Sequence, residues 1–330
     1  MPASEHRIVV YRPPLPPALS DELVAFWQEI FQTDYQPFRG VLNGEESEYN
    51  QDAFYLVQES GRTVGSAHLT LAGSNPELGG LGEVATTSEF RGRGLATALC
   101  TRARDDFRQA GGQALFLGTV NPDAARLYHR LGWRKMAGAN AMAFISDRRS
   151  PEAFLVDYFR DGSNSTVATG SMAARVPMIP LIFVPHDWQL MDANTGLIST
   201  RYADQNSCMM LYPRYAALAK DGFGTWFCAR SSHGRTVGLA SARLDGAGGC
   251  QMDGFAHHCY QDTWETLIAA ASDWAIARGA TSCWIRVSRE DEQKIGLCEA
   301  LGFRPAGDAE PYAIGTRQVP ALRLEKTRST

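Results

Sequence analysis

No two cysteines in this chain are spaced as CxxC, no HExxH occurs, and no apolar run reaches the roughly 18 residues a membrane helix needs. These absences remove the usual signatures of zinc and dithiol chemistry and of a membrane span, so neither metal nor membrane is expected. The seven cysteines (Cys100, Cys208, Cys228, Cys250, Cys259, Cys283, Cys298) are odd in number and scattered through apolar segments, the pattern of reduced, buried thiols in the cytosol. Basic charge is also short. The 32 Lys and Arg stand against 36 Asp and Glu, a net charge of −4, which leaves no surplus for a nucleic-acid backbone. The opening MPASEHRIVVYRPPLPP is charged and proline-rich where a signal peptide would be apolar, and a cytoplasmic protein is expected. What is present is 330 residues with 44% hydrophobic content, enough for two ordinary globular domains.

The chain carries the same unit twice. YLVQESGRTVGSAHLTL (55–71) reads as two strands joined by a tight turn at Ser60–Gly61, and WFCARSSHGRTVGLASARL (226–244) repeats it, down to a shared Gly-Arg-Thr-Val-Gly. YHRLGWRK (128–135) is echoed by CEALGFRP (298–305) at nearly the same separation. Within the first copy the patterning predicts strands at 7–11, 53–59, 63–72, 83–87, 114–120 and 140–146, and helices at 20–32, 94–110 and 122–131. Leu95, Leu99, Ala103 and Phe107 give helix 94–110 one apolar stripe. Asn121-Pro122-Asp123 is a helix start: a capping side chain, a proline at the first helical position and an acid in the first turn. Domains are expected at 1–150 and 165–330, joined by a linker over 151–164, with DGSNS (161–165) marking the boundary.

The stretch EVATTSEFRGRGLATAL (83–99) holds the chemistry. It runs a β-branched segment into two glycines, two arginines and a fresh helix. Glycines admit a ligand close to the backbone, and a helix N-terminus offers unpaired N–H groups and a positive dipole end, which together suit a phosphate.

Strand, glycine-arginine turn, helix, strand, capped helix with a tyrosine, then Leu-Gly-aromatic: this order resembles the GNAT superfamily of N-acetyltransferases over residues 5–146. The family's pyrophosphate signature is matched by Arg91, Gly92, Arg93, Gly94, Leu95 and Ala96, and its second signature by Asn121, Ala124, Tyr128, Gly132 and Trp133. The resemblance implies an α/β (α+β) fold in each of two tandem domains, a mixed, mostly antiparallel twisted sheet flanked by helices. It implies acetyl-CoA as cosubstrate, its pyrophosphate on Arg91 to Thr97 and its pantetheine along the backbone of Val84, Ala85 and Thr86, with Asn121 and Tyr128 also at the coenzyme. By the same resemblance the Thr86 N–H faces the thioester carbonyl, where it stabilises an oxyanion, and Tyr128 is the general acid for the departing thiolate.

For the general base, Glu83 and His68 are both candidates, as are a water chain and an amine that arrives neutral. Arg102, Arg104 and Arg108 read as a solvated helix face among Asp105 and Asp106. Residues 40–61 contain Glu45, Glu46, Glu48, Asp52 and Glu59 without a Lys or Arg, either a solvated loop or a rim that attracts a cationic acceptor. Trp27, Phe31, Tyr35 and Phe38 read as core.

In the second copy, matching ARGA (277–280) to QAGG (109–112) sets Cys259 to Trp264 opposite Arg91 to Ala96, with both glycines and both arginines gone, and Cys298 opposite Tyr128. That copy is expected to keep the fold without the coenzyme. The function expected is direct acetyl transfer from acetyl-CoA to a primary amine of a small molecule, a peptide N-terminus being a variant. The rivals are a malonyl-thioester decarboxylase and a non-catalytic acyl-CoA sensor or scaffold.

Overall fold

The computed structural model describes residues 7–327 apart from Asp161, Ser163 and Met209; two residues of the expected linker therefore lie outside the described residues. The chain divides into two units, one formed by Met1–Lys135, Asn140–Phe154 and Asn206–Met209, the other by Met136–Ala139, Leu155–Gln205 and Met210–Thr330. Each is built around a seven-stranded sheet.

The first unit runs β1 (Ile8–Tyr11), α1 (Pro17–Phe31), α2 (Arg39–Leu42), β2 (Asn50–Glu59), β3 (Arg62–Ala72), β4 (Leu78–Thr86), α3 (Leu95–Gln109), β5 (Ala114–Gly118), α4 (Pro122–Arg130), β6 (Arg134–Lys135) and β7 (Ala141–Ile145). Proline at the start of α1 extends that helix three residues upstream of the expected start, since its missing N–H costs nothing there. Strand order is β1-β2-β3-β4-β5-β7-β6, antiparallel except for β4 beside β5. Side chains alternate across the sheet. Tyr55, Val57, Ala67 and Leu115 face one core with Leu95, Leu99, Ala103 and Phe107 of α3. Phe54 and Leu56 face the other, with Leu23, Val24 and Trp27 of α1. The hairpin between β2 and β3 turns on Ser60 and Gly61, both left-handed, as such a two-residue turn requires.

One irregularity positions everything that follows. The parallel pairing of β4 with β5 covers only Leu78, Gly79 and Gly80; from Leu81 to Thr86, β4 is paired with β3 alone. The sheet therefore opens in its middle.

Pro151–Phe159, expected as linker, is a helix, α5, and the boundary between the units falls inside it. The serine before its first proline caps it, Ser150 Oγ accepting from the Ala153 N–H at 3.1 Å, and its apolar run gives it a face to bury.

The second unit continues with β8 (Ser165–Thr169), α6 (Met178–Phe183), β9 (Leu190–Asp192), β10 (Leu197–Ile198), α7 (Leu211–Lys220), β11 (Gly224–Ser231), β12 (Thr236–Leu244), β13 (Gly249–Ala256), α8 (Asp262–Ala277), β14 (Ser282–Ser288), α9 (Glu292–Ala300), β15 (Arg304–Ile314) and β16 (Arg317–Thr327). Its sheet order β8-β11-β12-β13-β14-β16-β15 reproduces the first, strand for strand, again with a single parallel pair, β13 with β14, confined to Gly249–Gln251. Here the opening is bridged by the chain itself. The Gln189 N–H donates to the Asp291 carboxylate, Trp188 Nε1 donates to Gln293, Lys294 Nζ donates to the Leu190 carbonyl, and the Ala193 N–H donates to Asp253 on β13.

Candidate active site

The glycine turn lies at the end of the unpaired stretch of β4. Gly92 and Gly94 both have left-handed φ, +75° and +84°, and a β-carbon at either would have no heavy atom within 4 Å. Gly94 is the N-cap of α3, and no side chain caps that helix, which starts after a turn holding Arg91 and Arg93. Arg91 Nε donates to the Thr86 carbonyl at 3.2 Å, and the Arg93 guanidinium stacks 4.6 Å from the Phe90 ring. Arg102 and Arg104 pair with Asp106 and Asp105 on their own helix.

Along β4 the N–H direction alternates. The Thr87 N–H donates to the Val64 carbonyl of β3, so the Thr86 N–H points to the opposite side, where β5 has diverged. The Thr86 hydroxyl is buried without a hydrogen-bond partner. Asn121 caps α4, its side-chain oxygen accepting from the N–H groups of Asp123 at 2.9 Å and Ala124 at 3.4 Å. Tyr128 is buried on that helix beside Trp133, and burial pushes its phenol well above the ordinary tyrosine value, so it stays protonated.

His68, Glu83 and Asp52 form a single chain. His68 Nε2 is 2.7 Å from Asp52 Oδ1 and His68 Nδ1 is 2.8 Å from Glu83 Oε2. The antiparallel register explains two of the three: Phe54 lies opposite His68 and Asp52 opposite Thr70, so Asp52 and His68 share the face packed by α1. Glu83 reaches that face through a bulge. The β3–β4 register slips between Ser66 and His68, and Glu83 adopts φ +47°, so a side chain that strict alternation would send to the other face turns toward His68. The Ser66 hydroxyl donates to the Glu83 carbonyl at 2.6 Å and accepts from Trp27 Nε1 at 3.0 Å, which holds the bulge. Phe54 stacks on the imidazole at 4.5 Å, and Phe38 meets it edge-on at 5.4 Å. Burial alone would lower the His68 value, yet the two carboxylates outweigh it and hold it above the ordinary 6.5. The side chains of His68, Asp52 and Glu83 are 0%, 2% and 10% exposed, so only Glu83 reaches solvent. Asp52 is thus interior rather than part of an acidic rim, and Glu46 is buried against Asn50.

In the second unit the corresponding turn is built differently from that of the first. Cys259 lies in a short 3-10 turn, His258–Tyr260, and Trp264 lies inside α8, its indole donating to the Gly254 carbonyl. The helix follows that turn through Gln261 alone, in right-handed conformation, where the first unit has Arg91 to Gly94. No residue from 257 to 262 has positive φ. The β12–β13 register is also unbroken, without the bulge of the first unit.

Residues 17–133 match the model of the Acetyltransferase (GNAT) family. No curated protein matches the sequence. Among solved structures, mutant forms of the spermidine/spermine N-acetyltransferase SpeG from Vibrio cholerae share 16% identity, with 49% of this chain and 93% of theirs covered and a TM-score of 0.39. The ribosomal-protein-alanine N-acetyltransferase from Brucella melitensis shares 16%, covering 49% and 99%, with a TM-score of 0.39. A putative acetyltransferase from Acinetobacter baylyi shares 15%, covering 50% and 93%, with a TM-score of 0.40. No helix among the described residues is long and apolar enough to cross a membrane. Residues 17–133 thus form a GNAT acetyltransferase domain.

Proposed function

We propose that residues 1–150 are an acetyl-CoA-dependent N-acetyltransferase domain acting on a primary amine of a small molecule in the cytoplasm. The carrying observation is the loss of β5 as a partner after Gly80, with an uncapped helix and two open glycines waiting where the unpaired strand ends. These residues fit the coenzyme. Arg91, Gly92, Arg93, Gly94, Leu95, Ala96 and Thr97 would hold its pyrophosphate, and Val84, Ala85 and Thr86 its pantetheine arm. Asn121 serves that arrangement indirectly, by fixing the start of the helix that carries Tyr128. When bound, acetyl-CoA supplies an activated acyl group. The Thr86 N–H is then the donor for charge developing on the acyl oxygen, a contribution of about 3–4 kcal/mol for such groups. Tyr128 keeps its proton at neutral pH and gives it to the leaving sulfur. Glu83 faces the acceptor and takes the proton of the amine, with His68 acting through it. Residues 165–330, in this reading, retain the fold without coenzyme binding, because the helix start there has neither glycine nor left-handed turn.

The test is free-thiol release from acetyl-CoA by the full chain, with and without a panel of primary amines, and with malonyl-CoA in place of acetyl-CoA. Amine-dependent release accompanied by N-acetylated product is expected. Coenzyme binding with no release on any amine, or decarboxylation of malonyl-CoA alone, would overturn the reading.

A further inference from the structure

We infer that His257, His258 and Cys259 form a binding site for a zinc-class divalent cation, at the turn where the second unit has no phosphate-binding loop. The inference concerns the second unit alone and does not depend on acetyl transfer in the first.

The turn gathers three metal-ligating side chains at consecutive positions, which an ordinary strand would not do. On a strand, neighbouring side chains leave on opposite faces. Here His257 is extended, at φ −63° and ψ 142°, and His258 already begins the 3-10 turn His258–Tyr260. That change of backbone sense brings the second imidazole over the first, with ring centroids 4.1 Å apart and planes tilted by 35°. One donor atom from each ring and the Cys259 sulfur all lie within 4.8 Å of one another. Bound tetrahedrally at about 2.0–2.3 Å from a metal, they would stand about 3.3–3.6 Å apart, so the site has about 1 Å to close.

The three residues divide the work. His257 is the fixed one. Its imidazole is buried and stacked on Phe159 at 4.2 Å, with planes 17° apart, and its N–H donates to the Val237 carbonyl at 2.8 Å. Its Nδ1 accepts from the Cys259 N–H at 3.2 Å. An imidazole nitrogen that accepts carries no proton, so the lone pair a metal needs is already there. A cation on Nδ1 takes the place of that long hydrogen bond. His258 and Cys259 are exposed, so their side chains can rotate through the last ångström without disturbing the core. Their backbone is held in place. A β-carbon on Gly162 would come within 2.8 Å of the Cys259 carbonyl, and the Ser165 and Thr263 hydroxyls meet at 2.7 Å, linking β8 to the start of α8.

Charge along the turn also suits a cation. Residues 257–265 contain no Lys or Arg, where the first unit has Arg91 and Arg93, and Asp262 and Glu265 occupy the first turn of α8. These acids offset the positive end of the helix dipole, which would otherwise repel a cation. The donor set selects the ion: two imidazoles and a thiolate suit zinc, whereas magnesium and calcium take oxygen. Three protein donors leave a fourth tetrahedral position for water, the arrangement of an open site. His258 lines a small cleft with Trp188, Gln261, Trp264 and Gln293, which gives that position room. On binding, the Cys259 S–H bond breaks, its proton goes to solvent and the sulfur electron pair forms the metal bond, with no change of oxidation state. The site escapes the CxxC and HExxH patterns because its donors are adjacent, and adjacency serves only through the change of backbone sense at His258.

Cobalt gives the decisive readout. Cys259 is exposed and the other six cysteines are buried. The reduced full chain titrated with Co²⁺ should therefore develop the near-ultraviolet thiolate-to-metal band, saturating at one ion per chain, and Zn²⁺ should bleach it. Cys259→Ser should abolish the band. Losing a ligand costs at least what losing its hydrogen-bonded support does, so Cys259→Ser and His258→Ala should each weaken zinc about tenfold or more, measured against a chromogenic chelator. Both positions are exposed, so neither variant removes core packing. Zinc should also slow alkylation of Cys259 by iodoacetamide about tenfold in the native chain, and much less in His258→Ala at the same zinc concentration. No thiolate band, a band that persists in Cys259→Ser, or equal zinc affinity in the native chain and both variants would overturn the inference, and acetyl transfer by the first unit would stand in each case.

Discussion

Gly94→Ala separates backbone strain from ligand contact. A β-carbon at Gly94 meets nothing within 4 Å, so no packing is lost on substitution; the cost comes from φ +84°, which an L side chain occupies at about 1–2 kcal/mol. Gly61→Ala is the matched control, because Gly61 has φ +77° and equally empty surroundings but lies in the β2–β3 hairpin rather than at the start of α3. Both variants should lower the melting temperature of the first unit by a similar few degrees, at about 2–4 °C per kcal/mol for a domain of this size. Only Gly94→Ala should weaken acetyl-CoA, by at least about tenfold, or about 1.4 kcal/mol, since its methyl group fills the space the phosphates need. Differential scanning fluorimetry reads the first effect and calorimetric titration the second. Native coenzyme affinity in folded Gly94→Ala, or equal loss in both variants, would refute the assignment of the turn.

Tyr128→Phe keeps the ring in its buried place and removes the proton, so kcat should fall by about 10²–10⁴-fold with KM for acetyl-CoA little changed, in steady-state assays. Full activity would make the tyrosine structural. Asn121→Ala removes the cap of α4 and should cost about 0.5–2 kcal/mol, read by denaturant unfolding; no loss would mean that water replaces the cap. His68 titrates above its ordinary value in the fold, so its stabilising contribution is complete below about pH 6.5 and is lost as pH rises through the folded value. Melting temperatures of the native chain should fall more steeply above that pH than those of Asp52→Asn, and parallel curves would contradict the coupling. Calorimetric titration of the full chain should give one coenzyme per chain, and a value of two would show that the second unit binds as well.

Much of the first unit is legible in local pattern. The stripe Leu95, Leu99, Ala103 and Phe107 is buried to the last residue, the Asn121 cap forms, and the Ser60–Gly61 turn sits where the hairpin needs it. Those features depend on neighbours within a turn or two. The Asp52–His68–Glu83 chain does not. Its members are 16 and 15 residues apart, and the last joins through a bulge that no residue type announces, since Glu83 is an unusual choice for left-handed backbone. His68 and Glu83 are therefore visible as separate candidates, while Asp52 hides in a run of acids that reads as solvated surface. In the second unit the matching by the end of α8 sets Trp264 opposite Ala96, and both lie in the first turn of their helices. Part of the expected linker is helix because the apolar segment FLVDYF follows a serine cap, and a helix lets it bury one face.

The sheet that opens in its middle has a thermodynamic side. Backbone groups on an unpaired strand must find partners. In the second unit, residues Trp188 to Ala193 bond to Asp291, Gln293 and Lys294 after β14 and to the Asp253 side chain on β13. In the first, Leu81 to Thr86 has strand neighbours on one side only, and a coenzyme bound there as proposed would add to that unit's stability. A ligand at one hundred times its dissociation constant adds about 2.7 kcal/mol to the state that binds it. Heating the chain should then resolve two transitions, of which coenzyme moves one and leaves the other in place. That result would mean that denaturation of this protein is not a single equilibrium, and that the proposed coenzyme adds to the stability of the first unit alone.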